Sequence, residues 1–87
     1  MIERPLHIPD APGSYQFYNR ESQAIYVGKA RSLKNRISSY FVNPERLHER
    51  TRQMMRNAVR VEWIQVNSEL DALLLEHSLI KTHQPKY

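Results

Sequence analysis

Tyr26-Val27-Gly28-Lys29-Ala30-Arg31-Ser32-Leu33-Lys34-Asn35-Arg36 decides how the rest of the chain is read. A short apolar strand runs into a glycine, then a lysine, then a helix that carries further cations. Eleven residues before Tyr26 stands Tyr15, just after Pro12-Gly13. Two phenols on neighbouring strands, with Lys29 and Arg36 close behind them, suit a site that grips a phosphodiester. An acid or metal ligand for such a site must come from elsewhere in the chain.

Upstream of that stretch, residues 14–18 predict a strand with Tyr15 and Phe17 on one face. Asn19-Arg20-Glu21-Ser22 is a polar turn, and residues 24–28 predict a second strand, so the pair forms an antiparallel hairpin. Residues 1–13, with Pro5, Pro9, Pro12 and Gly13, form an irregular lead-in. Downstream, Ser32 is the predicted N-cap of a helix whose core stripe is Leu33, Ile37, Tyr40 and Phe41, ended by Asn43-Pro44. A second helix is predicted from about 45 to 57, with Leu47, Thr51, Met54, Met55 and Ala58 on one side. Residues 60–66, β-branched and aromatic, predict a third strand. Ser68 caps a final helix, with Asp71 as an approximate capping box. That helix carries Leu70, Leu73, Leu74, Leu75, Leu79 and Ile80 and stops at His83-Gln84-Pro85. The order β-β-α-α-β-α gives the α+β class: a small three-stranded antiparallel sheet flanked by helices, as a single domain over 14–87. The chain stops at Tyr87 without a closing element, and a fragment of a longer protein is expected.

Composition narrows the function classes. The 87 residues are enough for one domain with a small core. No cysteine is present, which excludes a disulfide framework, a thiolate metal site and a thiol nucleophile; a reducing, cytoplasmic setting is expected. No apolar run approaches membrane-spanning length, and Met-Ile-Glu-Arg-Pro lacks a signal-peptide pattern, so no membrane partner is expected. Net charge of +4 and a pI near 9.7 favour a polyanionic partner. Arg46, Arg50, Arg52, Arg56 and Arg60 supply much of that charge, either as a solvated face or as a phosphate track, which adds affinity without sequence choice. His7, His48, His77 and His83 have no metal-ligand spacing and read as surface or linker residues.

Glu76 is the sharpest single residue. Its helical neighbours Ala72, Leu73, Leu79 and Ile80 are all apolar, and a carboxylate inside an apolar face is costly unless it is paired or binds a metal. The alternative is a boundary glutamate that reaches water or pairs with an arginine. Arg36 lies beside Leu33 and Tyr40, held by packing; its planar fork suits phosphate oxygens, or it snorkels, or it pairs with Glu76. Lys29 follows Gly28, where glycine admits close approach of a ligand and a helix N-terminus follows, although a Gly-Lys pair is also a common turn. The glycine spacing is not that of a Walker loop. Tyr15, Tyr26 and Tyr40 are either ordinary half-buried aromatics or site phenols, and a phenol with a pKa near 10 acts as a base only with a cation or metal nearby.

In order, Gly13-Ser14-Tyr15, Tyr26-Val27-Gly28-Lys29, Arg36, Tyr40 and Glu76 resemble the GIY-YIG nuclease family. The resemblance covers nearly the whole chain from Pro12 onward. It is closest to the N-terminal nuclease domains of the incision subunits of bacterial nucleotide excision repair. Two blocks carry that closer likeness: Tyr26 to Phe41, ending Arg36-Ile37-Ser38-Ser39-Tyr40-Phe41, and Ser68-Glu69-Leu70-Asp71-Ala72-Leu73-Leu74-Leu75-Glu76, followed by Leu79-Ile80-Lys81 and Pro85-Lys86-Tyr87.

The resemblance implies hydrolysis of a DNA phosphodiester with one divalent ion, Mg²⁺ or Mn²⁺, and, in the repair branch, a cut on the 3′ side of a lesion. Carried over by position, Glu76 would ligate the metal and Tyr26 would be the general base or orient the attacking water. Tyr15 would help position water or phosphate, and Arg36 would stabilise the charge building on the phosphate. Lys29 would bind Tyr26 or a metal-bound water, and Tyr40 would support the site. The implied partners are damaged double-stranded DNA and excision-repair proteins such as UvrB, reached through regions outside this chain, with the domain itself a monomer. Ser14 stands where the family usually has an aliphatic residue. The family pattern continues with a site asparagine after Pro-Lys-Tyr, where this chain ends. Two other classes compete with a hydrolytic nuclease: a covalent DNA-breaking enzyme using Tyr15 or Tyr26, and a non-catalytic adaptor that keeps the fold.

Overall fold

The alternation upstream of Arg31 folds as the expected hairpin. The computed structural model describes residues 2–87. β1 (Gly13–Tyr18) and β2 (Ala24–Ala30) pair antiparallel, with Tyr15 opposite Gly28 and Phe17 opposite Tyr26. Their turn is closed by Asn19, whose Oδ1 accepts from the backbone N–H of Glu21 (3.0 Å) and Gln23 (2.9 Å). There follow α1 (Leu33–Ser38), a 3₁₀ turn (Pro44–Arg46), α2 (Glu49–Asn57), β3 (Arg60–Gln65) and α3 (Glu69–His83). β3 pairs antiparallel with β1, so the sheet order is β2-β1-β3 and β2 is an edge strand. The three-stranded α+β architecture and the order of elements are those predicted.

Side chains alternate across the sheet. Tyr15 and Phe17 share one face, and there they meet the main core with Leu33, Ile37, Tyr40, Met54 and Met55. Ser14 and Gln16 point to the other face, where α3 packs on β1 and β2; both are buried, and Ser14 Oγ donates to the Gly28 carbonyl at 2.7 Å. The lead-in is pinned to α1: the Leu33 and Lys34 N–H groups, unpaired within the helix, donate to the Ala11 (2.9 Å) and Pro9 (3.0 Å) carbonyls.

Two helices are shorter than the sequence predicts. α1 stops at Ser38 because Ser39 Oγ donates to the Arg36 carbonyl (2.5 Å), and Tyr40 and Phe41 bond three residues back instead of four. Tyr40 is therefore buried from a tight turn and not from the helix stripe. The segment predicted as the start of the second helix is the separate 3₁₀ turn, capped by Asn43 Oδ1 on the Glu45 N–H (3.1 Å), and Leu47 is extended. In α3, Ser68 Oγ accepts from the Asp71 N–H (3.1 Å), the predicted N-cap bond, and donates to Asp71 Oδ2 (3.0 Å) in place of the capping box's backbone arm. Most of its leucines are not buried: only Ala72 is fully covered, Leu75, Glu76 and Leu79 are half-buried, and Leu70 (63%) and Leu74 (59%) face outward with Leu73 and Ile80.

Candidate active site

Three tyrosines and one arginine meet on the core face of the hairpin. Tyr15 comes from β1, Tyr26 from β2, and Tyr40 from the tight turn after α1. Their ring centroids lie 6.1 Å (15–26), 5.7 Å (15–40) and 6.3 Å (26–40) apart. The Tyr15 and Tyr40 hydroxyls are hydrogen-bonded at 2.7 Å. Arg36 Nε donates to Tyr15 Oη at 3.2 Å, and the guanidinium carbon stands 5.9 Å from the Tyr40 ring. Arg36 is exposed, so this phenol contact, and not burial in a helix stripe, orients it.

Gly28 has a different task from the one predicted. It sits inside β2, and a Cβ there would lie 2.8 Å from Tyr15 Cε1 and closer still to Cζ and Oη. The missing side chain makes room for the Tyr15 ring, which has no exposed surface, and not for a ligand. Burial raises the Tyr15 pKa, and burial with the neighbouring Tyr15 hydroxyl raises that of Tyr40. Both are therefore neutral phenols at physiological pH, able to donate but not to act as bases. The hydrogen bond to Tyr15 and the neighbouring phenols hold Arg36 firmly cationic. Beside this cluster opens a cleft of about 280 Å³, lined by Tyr26, Arg36, Tyr40, Arg46, Arg50 and Tyr87 among others. Only Tyr26 among the three phenols is half-exposed into it.

Lys29 and Glu76 lie outside the phenol cluster, and Lys29 shares a shallow pocket with Arg36 and Ser39. Lys29 is paired with Ser14, so it stands on the α3 side of β2, and it is exposed. On α3, positions 69, 73, 76 and 80 share one flank. Glu69 on that flank accepts from Arg31 Nε at 2.9 Å, and Arg31 directly follows β2. At the far end the His83 ring meets Tyr18 edge-on at 6.4 Å, so α3 runs against β2. Glu76, about two turns beyond Glu69, is half-buried.

Among the described residues the Glu76 side chain makes no hydrogen bond or ion pair; the ion pairs are Arg31–Glu69, Arg52–Glu49 and Arg60–Glu62. The anticipated Arg36–Glu76 pair is not among them. A carboxylate engaged by no described side chain keeps both oxygens for a hard cation, which accepts water for its remaining ligands. No group of three or more His, Asp or Glu among the described residues forms a cage. The predicted burial of Glu76 amid leucines needs correction, because Leu73 and Ile80 beside it are exposed.

The arginine series divides. Arg46 and Arg50 line the cleft, Arg52 pairs with Glu49, and Arg60 lies 4.2 Å over the Tyr18 ring and pairs with Glu62 at 2.7 Å, away from the site. All four histidines are exposed, as predicted. Residue-by-residue inspection missed Tyr87 as a wall of the cleft: its N–H donates to the Ile25 carbonyl on β2 (2.9 Å) and its Oη accepts from Asn57 Nδ2 (3.1 Å). Only an aromatic at the chain's end hinted at it.

A family model described as the UvrC-like GIY-YIG domain matches residues 11–87. UvrABC system protein C from Saccharopolyspora erythraea is 52% identical over 83 residues, covering 95% of this chain and 12% of that protein. The same protein from Cytophaga hutchinsonii is 50% identical over 80 residues, covering 92% of this chain and 13% of that one. The chain thus spans about an eighth of the length of these curated relatives. The crystal structure of the GIY-YIG N-terminal endonuclease domain of UvrC from Thermotoga maritima, bound to its catalytic divalent cation, magnesium, matches with a TM-score of 0.83 at 39% identity. The match covers 94% of this chain and 88% of that one.

Proposed function

The chain belongs to the UvrC-like GIY-YIG family, and we propose on that premise that it is a divalent-metal-dependent endonuclease domain that hydrolyses a DNA phosphodiester. The observation that carries this is the cluster of phenols and a fixed guanidinium beside the edge strand β2. A carboxylate engaged by no described side chain stands on α3, which packs on β1 and β2. Glu76 would hold one Mg²⁺ or Mn²⁺ ion, which supplies Lewis-acid polarisation and an acidified water when bound. Tyr26, the half-exposed phenol, would orient the attacking water through Oη, and would take its proton only as the phenolate, its own proton having first passed to solvent. Arg36 hydrogen-bonds the phosphate oxygens as charge builds on them. Tyr15 holds Arg36 through its hydroxyl, Tyr40 holds Tyr15, and Lys29 offers a second cation on the Glu76 side.

As the resemblance implies, the cut falls on the 3′ side of a lesion in nucleotide excision repair. The substrate is damaged double-stranded DNA, and UvrB and other parts of a longer chain choose the position. The domain acts as a monomer in this scheme.

The test is nicking of supercoiled plasmid with Mg²⁺, with Mn²⁺ and with chelator. Metal-dependent nicking that disappears in Glu76→Gln supports the proposal. Equal nicking in chelator, or in Glu76→Gln, refutes it. Tyr15 has no exposed surface from which to attack DNA, which leaves Tyr26 as the sole phenol of the pair for a covalent route. A protein–DNA adduct surviving denaturation would favour that route over hydrolysis.

A further inference from the structure

We propose that a second cleft, beside the catalytic one, holds the phosphodiester backbone of the same DNA strand beyond the scissile phosphate; this rests on the nuclease reading. The two clefts share Tyr87 as a wall, and the second has a volume of about 380 Å³. Arg46 and Arg50 stand in the first, and Arg20, Arg56 and Lys86 in the second.

Ion pairing sorts the cations. Arg31, Arg52 and Arg60 each have a carboxylate partner, and none of them lines either cleft. Among the described residues, no arginine or lysine that does line them is paired with a carboxylate. The first cleft has no acidic lining residue, and the second has only Glu21. Among the described residues all six cations that line the clefts lack a carboxylate partner, whereas three of the seven elsewhere have one, an arrangement that suits an external anion.

Tyr87 sharpens the case. Its ring is fixed between Ile25 and Asn57, and two cations lie against it, Arg50 Cζ at 5.6 Å and Lys86 Nζ at 5.5 Å. Arg50 also donates to the Lys86 carbonyl at 3.1 Å, which ties the two together. Two like charges about one ring repel, and an anion between them relieves the repulsion. A chain of phosphates, unlike a single one, engages both clefts at once. The contacts are to backbone, so affinity rises without base preference.

The experiment is fluorescence anisotropy of a labelled DNA duplex across a salt series, in the Glu76→Gln background to prevent cleavage. Arg20→Ala, Arg56→Ala and Lys86→Ala should each flatten the slope of log affinity against log salt by roughly 0.9, the share of one phosphate contact. Arg60→Ala, whose cation is paired with Glu62 and lines neither cleft, should leave the slope unchanged. A triple variant of the second cleft that keeps its fold by circular dichroism and binds with the parent's slope overturns the inference, and the single variants decide it should the triple unfold. Plasmid nicking by the parent chain separates the two proposals. Nicking together with unchanged slopes sinks the second cleft alone; flattened slopes without nicking sink the nuclease reading and leave the cleft standing.

Discussion

Gly28→Ala tests the structural logic of the site most directly. The backbone at residue 28 is not in the left-handed region, so alanine meets no conformational objection there. Any cost is steric. The new methyl would overlap Cζ and Oη of Tyr15, a ring with no exposed surface and no room to retreat. Overpacking of this kind costs about 1–3 kcal/mol. If the ring moves, its bonds to Tyr40 (2.7 Å) and Arg36 (3.2 Å) weaken, at about 1 kcal/mol each. A total of about 3 kcal/mol lowers the Tm of a domain this size by roughly 12–24 °C. Thermal and urea unfolding of wild type, Gly28→Ala, Tyr15→Leu and the double variant measure both the cost and its origin. In the Tyr15→Leu background the phenol that the methyl strikes is gone, so the second substitution should cost under about 1 kcal/mol, a coupling of at least about 2 kcal/mol. A Gly28→Ala variant that melts within a degree or two of wild type would refute the packing argument. So would an equal loss in both backgrounds, which would place the constraint in the backbone or a ligand.

Tyr26→Phe removes the only half-exposed phenol of the cluster without emptying the space its ring fills. It should lower the nicking rate by about 10²–10⁴-fold while leaving DNA affinity and Tm close to wild type; an unchanged rate would take Tyr26 out of the chemistry. Stability should also carry an alkaline signature. Tyr15 and Tyr40 have folded-state pKa values raised above the unfolded value near 10, so the folded chain retains their protons longer. Their contribution is complete below about pH 10 and is lost as pH climbs above it. Urea unfolding from pH 8 to 11.5, followed with tyrosinate absorbance, should show stability falling above about pH 10, less steeply in the Tyr15→Phe/Tyr40→Phe variant. Tyrosinate from these two residues appearing before unfolding would contradict their burial. The loss of nicking in Glu76→Gln should be matched by loss of Mn²⁺ binding in paramagnetic resonance titrations, at unchanged melting temperature.

Period-two alternation placed the hairpin, and the capping signature placed the last helix, because both are set by neighbouring residues along the chain. The length of α1 was not legible. Leu33, Ile37, Tyr40 and Phe41 continue a helical period, but Ser39 captures the Arg36 carbonyl and tightens the turn. Periodicity cannot register that competition, because a buried residue in a tight turn and one on a helix stripe satisfy the same spacing. α3 misled in the other direction. A leucine-rich helix predicts deep burial, yet one narrow stripe around Ala72 faces the sheet, and the leucines beside Glu76 remain open. The sequence argument that singled out Glu76 relied on buried apolar neighbours. The structure replaces it with a better one: the carboxylate is half-buried and engaged by no described side chain.

That edge is what the sequence could not display and the proposed site most needs. Tyr26 and Lys29 are three residues apart on one strand, an odd spacing that sends their side chains to opposite faces. Were β2 a central strand, flanked on both sides, no ligand could touch both. The order β2-β1-β3 leaves β2 with one free side, which a ligand can approach from either layer. A slip of one residue in the β1–β2 register would exchange Tyr26 with its neighbours across the sheet and dismantle the arrangement. Tyr15 in the space left by Gly28 is what forbids the slip, since any other residue opposite that ring brings a Cβ into it. The glycine, first read as an opening for phosphate, is the register pin that lets an edge strand serve both faces.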